Sequence, residues 1–260
     1  MRGYEWLRRQ RQETLELRSA DGLTLRARWI AADTGENRSA AVILMHGYRG
    51  SGVRDFAYLL PYYHALGIHI LLPDQRAHGA SEGKYICYGV KERYDCRGWA
   101  ELINQKYGVR DLFLHGLSLG CTTVLMAAGI GLPANVRGIV ADCGYTSPDA
   151  IFRRVLQQNF RVFPYPVLAA VQIAARFTAK FGFRDASTVD AMRKCRIPIL
   201  FFHGTADTFV PPEMTKQNYT ACAGEKKMIF VDSAKHAESW LRAPDLCRAE
   251  TAAFLAKYRT

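Results

Sequence analysis

The sequence lacks several features that mark other classes of protein. It contains no apolar run of about 18 residues, so we do not expect a membrane-spanning helix. Its first residues, MRGYEWLRRQRQ, are basic but have neither the apolar stretch nor the small-residue cleavage site of a secretory signal. No zinc-finger spacing and no aromatic RNP-type signature occurs, so nucleic acid is not an expected partner. These absences predict a cytoplasmic protein.

Paired cysteines are also missing. The seven cysteines are scattered along the chain and none belongs to a CxxC pair, so the sequence indicates neither a zinc site nor a disulfide framework. We expect buried free thiols, which suits a reducing compartment.

The balance of charge is strongly basic. Lys and Arg number 35 against 24 Asp and Glu, and the basic residues concentrate in the first dozen positions and between Arg153 and Arg184. Such an excess attracts anionic ligands, acidic membrane surfaces or nucleic acid, although a solvated basic surface is the simpler interpretation. We therefore keep a peripheral membrane contact open, and the sequence leaves the oligomeric state undetermined.

Apolar runs alternate with segments of helical spacing, which is typical of a parallel sheet with helices on both faces. The N-terminal part differs, because Asp21-Gly22 separates two runs in which apolar and polar residues alternate, and this predicts an antiparallel hairpin. The pattern of a buried strand then recurs in AAVILMHG, HILLPDQR, DLFLHG, RGIVADCG, PILFFHG and KMIFVDS. Residues 1–260 are expected to form one α/β domain.

Residues 149–194 interrupt this alternation. Roughly 45 residues separate two strands there, far more than a single crossover helix needs. The segment contains two helical patterns with a proline-bounded joint near Pro164 and Pro166. We interpret it as a small helical insertion over one end of the sheet, with an ordinary surface excursion as the alternative.

The stretch LFLHGLSLGCTTVL places Ser118 between Gly116 and Gly120, where a predicted strand passes directly into a predicted helix. GxSxG alone is a weak signal, since a glycine-bounded turn with an N-capping serine has the same pattern. In a strand–turn–helix setting the pattern indicates a nucleophile elbow, in which the serine has strained backbone geometry and the glycines avoid collisions. Ser118 is therefore the candidate nucleophile.

A serine hydroxyl needs a base and an orienting carboxylate. Of the seven histidines, His236 alone follows the last predicted strand, in a loop before a helix, and it is the candidate base. Asp207, in HGTADTFVP, is the favoured acid, and Asp142, in ADCGYTS, is the alternative. An oxyanion requires two backbone donors, and we assign them to the N–H groups of Leu119 and Tyr48.

Taken together, HGYRGS, DQRAHGASEG, GLSLG, DCGYTS, HGTADTFVP and the downstream His236 resemble the α/β-hydrolase superfamily of serine hydrolases over essentially the whole chain. The motifs point to its bacterial esterase-like branch, near acyl-CoA thioester hydrolases and prolyl-peptidase relatives. The resemblance implies the α/β-hydrolase fold, with a mostly parallel central sheet, helices on both faces, and a small helical lid (residues 149–194) after the sixth strand. It implies that neither a metal nor an organic cofactor is required.

The leading hypothesis is a carboxylic ester hydrolase with a Ser118–His236–Asp207 triad and an acyl-enzyme intermediate. The basic residues of the insertion favour an acyl-CoA thioesterase as the alternative, since they suit a phosphate. A prolyl-peptidase-like enzyme and a non-catalytic binding member are further alternatives. Phe160, Phe163 and Leu168 are predicted to line an acyl pocket, unless they simply pack onto the sheet.

Overall fold

The computed structural model of the protein describes residues 2–32, 40–159 and 164–260. Eight strands form a single sheet: β1 Gln12–Arg18, β2 Thr24–Ile30, β3 Ala40–Met45, β4 His69–Asp74, β5 Asp111–Leu117, β6 Val136–Asp142, β7 Ile199–Gly204 and β8 Lys226–Val231. All eight correspond to runs predicted from the sequence.

The helices of the described residues are α1 Arg2–Arg9, α2 Gly52–Phe56, α3 Leu60–Ala65, α4 Glu92–Tyr107, α5 Leu119–Ala128, α6 Pro148–Asn159, α7 Pro164–Thr178, α8 Thr188–Lys194, α9 Pro212–Ala221, α10 Ser239–Arg242 and α11 Pro244–Tyr258. None of them combines the length and the apolar character needed to cross a membrane.

The strand order in the sheet is β1-β2-β4-β3-β5-β6-β7-β8. The β1–β2 and β2–β4 pairs are antiparallel, and every later pair is parallel. The predicted N-terminal hairpin and the mostly parallel sheet are thus confirmed. Because parallel strands end at one edge, the segments that follow β3, β5, β6 and β7 meet beyond their carboxyl ends, where ligands bind in such sheets.

Each central strand has apolar side chains on both of its faces, because helices cover the sheet from both sides. Along β3, every residue is buried: Ile43 belongs to an apolar cluster that includes Trp99 of α4, whereas Val42 and Leu44 belong to a second cluster that includes Tyr63 of α3. This explains why the strand sequences are continuous apolar runs without alternation.

Three features of the fold were not evident from the sequence. Between β3 and β4 the chain forms two short helices, α2 and α3, with a proline near the start of the second. The basic N-terminus forms α1, which packs against α3, and its Leu7 is buried in an apolar cluster with residues of α3 and the sheet. The insertion contains a third helix, α8, besides the two predicted ones. Short helices carry too few periodic positions to stand out in a sequence.

Candidate active site

Ser118 lies in a sharp turn between β5 and α5, with no intervening loop. Its φ of 54° and ψ of −112° are in the left-handed half of backbone space, which is costly for a residue with a Cβ. The turn is held from both sides: the Ser118 amide donates to the Asp142 carbonyl at 2.9 Å, and the Ser118 carbonyl accepts from the Thr122 amide at 3.0 Å. The strained geometry predicted for the elbow is therefore present.

The two glycines of the elbow are required by close backbone contacts. A Cβ on Gly116 would lie 2.3 Å from the Gly120 carbonyl oxygen, and a Cβ on Gly120 would lie 1.8 Å from the Met45 carbonyl oxygen. Both distances are far below any real contact of a Cβ atom, so a side chain at either position would displace the backbone. The GxSxG pattern thus reflects the packing of the elbow against β3.

The structure brings Ser118, His236 and Asp207 into one hydrogen-bonded row. His236 Nε2 lies 2.8 Å from Ser118 Oγ, and His236 Nδ1 lies 2.7 Å from Asp207 Oδ2. Ser118 and Asp207 are buried, whereas the His236 side chain keeps 24% of its exposure. A neutral imidazole in this position donates from Nδ1 to the carboxylate and accepts at Nε2, which is the tautomer that can remove the serine proton.

Asp207 is held as a carboxylate by its neighbours. Burial alone would raise its pKa, but His203 and His236 donate hydrogen bonds that lower the pKa to about 2. Its other oxygen, Oδ1, accepts from the amides of Phe209 at 3.0 Å and Val210 at 2.9 Å. Both oxygens are therefore fully used, and the carboxylate is fixed in place.

Asp142, the alternative acid, is close to this row without belonging to it. Its Oδ1 accepts from Ser239 Oγ at 3.1 Å, and its buried Oδ2 has no hydrogen-bond partner in the described part of the chain. Burial raises the pKa of Asp142 to about 6, although the nearby His203 opposes this. The hydrogen bond to the histidine is made by Asp207 and not by Asp142.

His203 is a neighbour of the acid that the sequence did not single out. Its Nε2 lies 2.9 Å from the Val210 carbonyl and 3.1 Å from Asp207 Oδ2, and its Nδ1 lies 2.7 Å from Thr215 Oγ1. Since two acceptors face Nε2, that nitrogen carries the proton and donates to both. The only signal in the sequence was its place at a strand end, four residues before Asp207.

The segment after β3, residues 46–50, lies against the nucleophile. A Cβ on Gly47 would lie 3.6 Å from the Cβ of Ser118, so Tyr48 follows a residue in contact with the elbow. The amide of Tyr48 makes no hydrogen bond to the described residues, and that of Leu119 is the first of a helix, where N–H groups lack a partner within the helix. Both amides are thus available donors next to Ser118.

Two side chains that the sequence did not identify support this segment. Asp55 Oδ2 accepts from the Gly47 amide at 2.8 Å, and His78 Nε2 accepts from the Arg49 amide at 3.1 Å. These bonds satisfy the amides on either side of Tyr48 and leave its own amide unpaired. Asp55 lies on α2, and nothing in its local sequence distinguishes it from a solvated carboxylate.

An apolar cluster adjoins the elbow on the side of the insertion. Buried Leu119, Tyr145, Ile151 and Val210 form it, and Ile151 comes from α6. Leu168 is also buried, but it packs in a separate cluster with residues such as Phe181 and Phe183. Phe160 and Phe163 lie outside the described residues, and a role of any of these three side chains in binding an acyl group stays a prediction.

One group of side chains in the described residues has the composition of a metal site. The Cys143 sulfur, an Asp207 oxygen and a His236 ring nitrogen lie within 4.8 Å of one another. However, the hydrogen bond between Asp207 and His236 places a proton on Nδ1, so that nitrogen has no free electron pair for a metal. The arrangement fits a proton relay better than metal coordination.

Residues 40–172 match the protein family described as the alpha/beta hydrolase fold. The uncharacterized protein YqkD of Bacillus subtilis is 26% identical over 215 residues, a match that covers 82% of this chain and 70% of the length of YqkD. The lysophosphatidylserine lipase ABHD12 of Danio rerio is 26% identical over 198 residues, a match that covers 72% of this chain and 48% of the length of ABHD12.

Solved structures with the same fold include the Pyrococcus furiosus esterase Pf2001. It superimposes with a TM-score of 0.76 at 20% identity, covering 96% of this chain and 92% of the esterase. At that identity, the likeness establishes the architecture and leaves the substrate open.

Proposed function

The chain belongs to the alpha/beta hydrolase fold family, and from this premise we propose that it is a serine hydrolase that cleaves carboxylic esters. One observation carries the proposal: Ser118 Oγ, both ring nitrogens of His236 and Asp207 Oδ2 are joined by hydrogen bonds of 2.8 and 2.7 Å. The strained elbow supports it further, because an unfavourable backbone conformation persists only where the surrounding structure enforces it.

In the proposed first half-reaction, His236 Nε2 accepts the Ser118 proton while Oγ attacks the carbonyl carbon of the ester. The resulting oxyanion accepts hydrogen bonds from the Leu119 and Tyr48 amides, and Asp207 stabilises the imidazolium. The tetrahedral intermediate collapses, the bond to the leaving oxygen breaks, and His236 returns the proton to the departing alcohol. This leaves an acyl group on Ser118.

In the second half-reaction, water takes the place of the serine. His236 removes a proton from water as it attacks the acyl carbon, the bond to Ser118 Oγ breaks, and Oγ recovers the proton. The products are a carboxylic acid and the free enzyme. The proton transfers of both half-reactions follow the hydrogen bonds between Ser118, His236 and Asp207.

A fluorophosphonate probe tests the nucleophile. The wild type should be labelled, and Ser118→Ala should not be. Ser19→Ala is the matched control, because Ser19 is also 7% exposed but lies in the β1–β2 turn. Labelling of Ser118→Ala, or no labelling of the wild type, would reject the proposal.

The class of ester is tested with a substrate panel. We propose oxygen esters as substrates, and the panel compares p-nitrophenyl esters of increasing chain length with acyl-CoAs. Lysophosphatidylserine is included because the relative ABHD12 is a lipase for that lipid. Faster turnover of acyl-CoA than of every oxygen ester would replace the esterase proposal with a thioesterase.

A further inference from the structure

Helix α7 has a packed inner face and an exposed apolar face opposite to it. Its inner face consists of buried Leu168 and half-buried Gln172 and Ala175, which are spaced by four and three residues. On the opposite face, Pro166, Ala170, Ile173, Ala174 and Phe177 are all exposed, and they repeat with the same helical spacing. We call these five residues the outer stripe.

The outer stripe exposes large apolar side chains to solvent. Ile173 is 59% exposed and Phe177 is 81% exposed, and Val167 and Val171 beside them are each 36% exposed. No charged residue occurs in the helix before Arg176. A helix that is apolar all round is normally buried, and a contiguous exposed apolar surface marks an interaction site.

Cations outnumber carboxylates in the helices and loops that flank the outer stripe in sequence. In residues 148–159 and 164–187, five cations stand against two carboxylates, Asp149 and Asp185. Arg153, Arg176 and Arg184 pair with those carboxylates, whereas Arg154 and Lys180 make no ion pair within the described residues. The whole chain carries a formal charge of +11, so this local excess adds to a general attraction for anionic surfaces.

We propose that the outer stripe of α7 docks the protein on an anionic lipid bilayer. Apolar side chains on one face of a helix insert at the boundary between headgroups and acyl chains, and flanking cations bind the anionic headgroups. The proposal goes beyond ester hydrolysis and does not depend on it.

A second copy of the chain is a poorer occupant. In a two-fold contact, the same patch faces itself, so the cations at the end of α7 and on α6 would approach their own copies. Like charges at such an interface are unfavourable, whereas an anionic bilayer complements them.

Helix α7 is connected to the candidate active site through α6. Helix α6 packs against α7 and contributes Ile151 to the apolar cluster that contains Leu119, next to Ser118. In addition, the Arg154 guanidinium of α6 donates to the Thr208 carbonyl, one residue after Asp207. A contact on α7 is therefore two helices away from the serine.

Co-sedimentation with vesicles tests the proposal. Wild-type protein is mixed with phosphatidylcholine vesicles with and without phosphatidylserine, at low and high salt. We expect binding to the anionic vesicles only, and weaker binding at high salt because ions screen the attraction. Equal binding to both kinds of vesicle, or binding to neither, overturns the proposal.

Variants assign the surface. The double variant Ile173→Glu/Phe177→Glu should reduce vesicle binding by at least about tenfold, since carboxylates oppose both insertion and the anionic headgroups. Leu246→Glu is the matched control, because Leu246 is 44% exposed on α11 and should leave binding unchanged. Equal losses in both proteins would overturn the assignment to α7.

Two further measurements separate this proposal from its alternatives. Hydrolysis of a soluble short-chain ester should be the same in the double variant as in the wild type, and Ser118→Ala should bind vesicles like the wild type. Failure of the esterase proposal would thus leave vesicle binding intact. A wild-type dimer in light scattering that the double variant dissociates, without vesicle binding, would identify a second copy as the occupant and reject the lipid.

Discussion

Replacing Asp207 by asparagine should abolish most of the hydrolytic activity, and the structure explains how. Oδ1 of Asp207 accepts from two amides, those of Phe209 and Val210. In Asp207→Asn, those donors require the amide oxygen in the same place, so the NH₂ group must take the position of Oδ2. There it faces His236 Nδ1, 2.7 Å away in the native protein.

The NH₂ group donates to His236 Nδ1, so this nitrogen must give up its proton and accept. The proton then resides on Nε2, which faces Ser118 Oγ and can no longer accept the serine proton. In serine triads, this change of tautomer lowers kcat by about 10⁴-fold, equivalent to about 5.5 kcal/mol of transition-state stabilisation. We expect a loss of that size in kcat/KM.

The variant Asp142→Asn is compared with Asp207→Asn, because it changes the alternative acid in the same way. Oδ1 of Asp142 accepts only from Ser239, and an asparagine oxygen can do the same, while Oδ2 has no partner to lose within the described residues. We expect less than about a tenfold loss of kcat/KM, because the tautomer of His236 is unaffected.

The assay is the steady-state hydrolysis of p-nitrophenyl butyrate by the two variants and the wild type, with circular dichroism to confirm that each variant is folded. The reasoning is refuted if Asp142→Asn loses more activity than Asp207→Asn, or if Asp207→Asn retains activity within about tenfold of the wild type.

Gly120→Ala should destabilise the protein by more than ~3 kcal/mol in urea unfolding, because its Cβ would meet the Met45 carbonyl at 1.8 Å. Gly131→Ala is the control: its Cβ would meet nothing within 4 Å, so only its positive φ should lower the free energy of unfolding, by about 1 kcal/mol. Asp142→Asn should be more stable than the wild type by about 3 kcal/mol at pH 7 and nearly as stable as the wild type at pH 4. Burial raises the pKa of Asp142 in the folded protein to about 6. The wild type therefore loses stability as the pH rises from about 4 to 6, where the carboxyl ionises more readily in the unfolded chain. A stability difference that does not change with pH would contradict this origin. The seven cysteines are all buried, so Ellman's reagent should label none of them rapidly in the native protein and all seven in guanidinium chloride; rapid native labelling would mean that a thiol is accessible.

The position of the candidate site was accessible to sequence reasoning because it depends on local patterns. Ser118 lies between an apolar strand and an apolar helix, and the glycines around it report the steric demands of a tight turn. His236 was the only histidine after the last strand. The roles of these residues in catalysis are predictions that the experiments above address.

The choice between the two aspartates was not accessible in the same way. Asp142 is the last residue of the buried strand β6, and Asp207 lies just after the buried strand β7, so both are near the same edge of the sheet. Which carboxylate meets the histidine depends on where the chain segments that carry these residues, which are separated by many positions, place their side chains in three dimensions. Asp55 and His203 were missed although their partners Gly47 and Asp207 are near in sequence, because tertiary packing decides which side chains turn toward each other.

The amino-acid sequence by itself determined the α/β architecture, the order of the strands along the chain and the sharp turn at Ser118, because hydrophobic periodicity and glycine sterics act over a few neighbouring residues. Only the tertiary structure decided which acid pairs with His236 and which face of α7 stays in solvent. An apolar pattern in the sequence predicts that a surface is favourably buried, but packing in three dimensions decides which part of the molecule, if any, buries it.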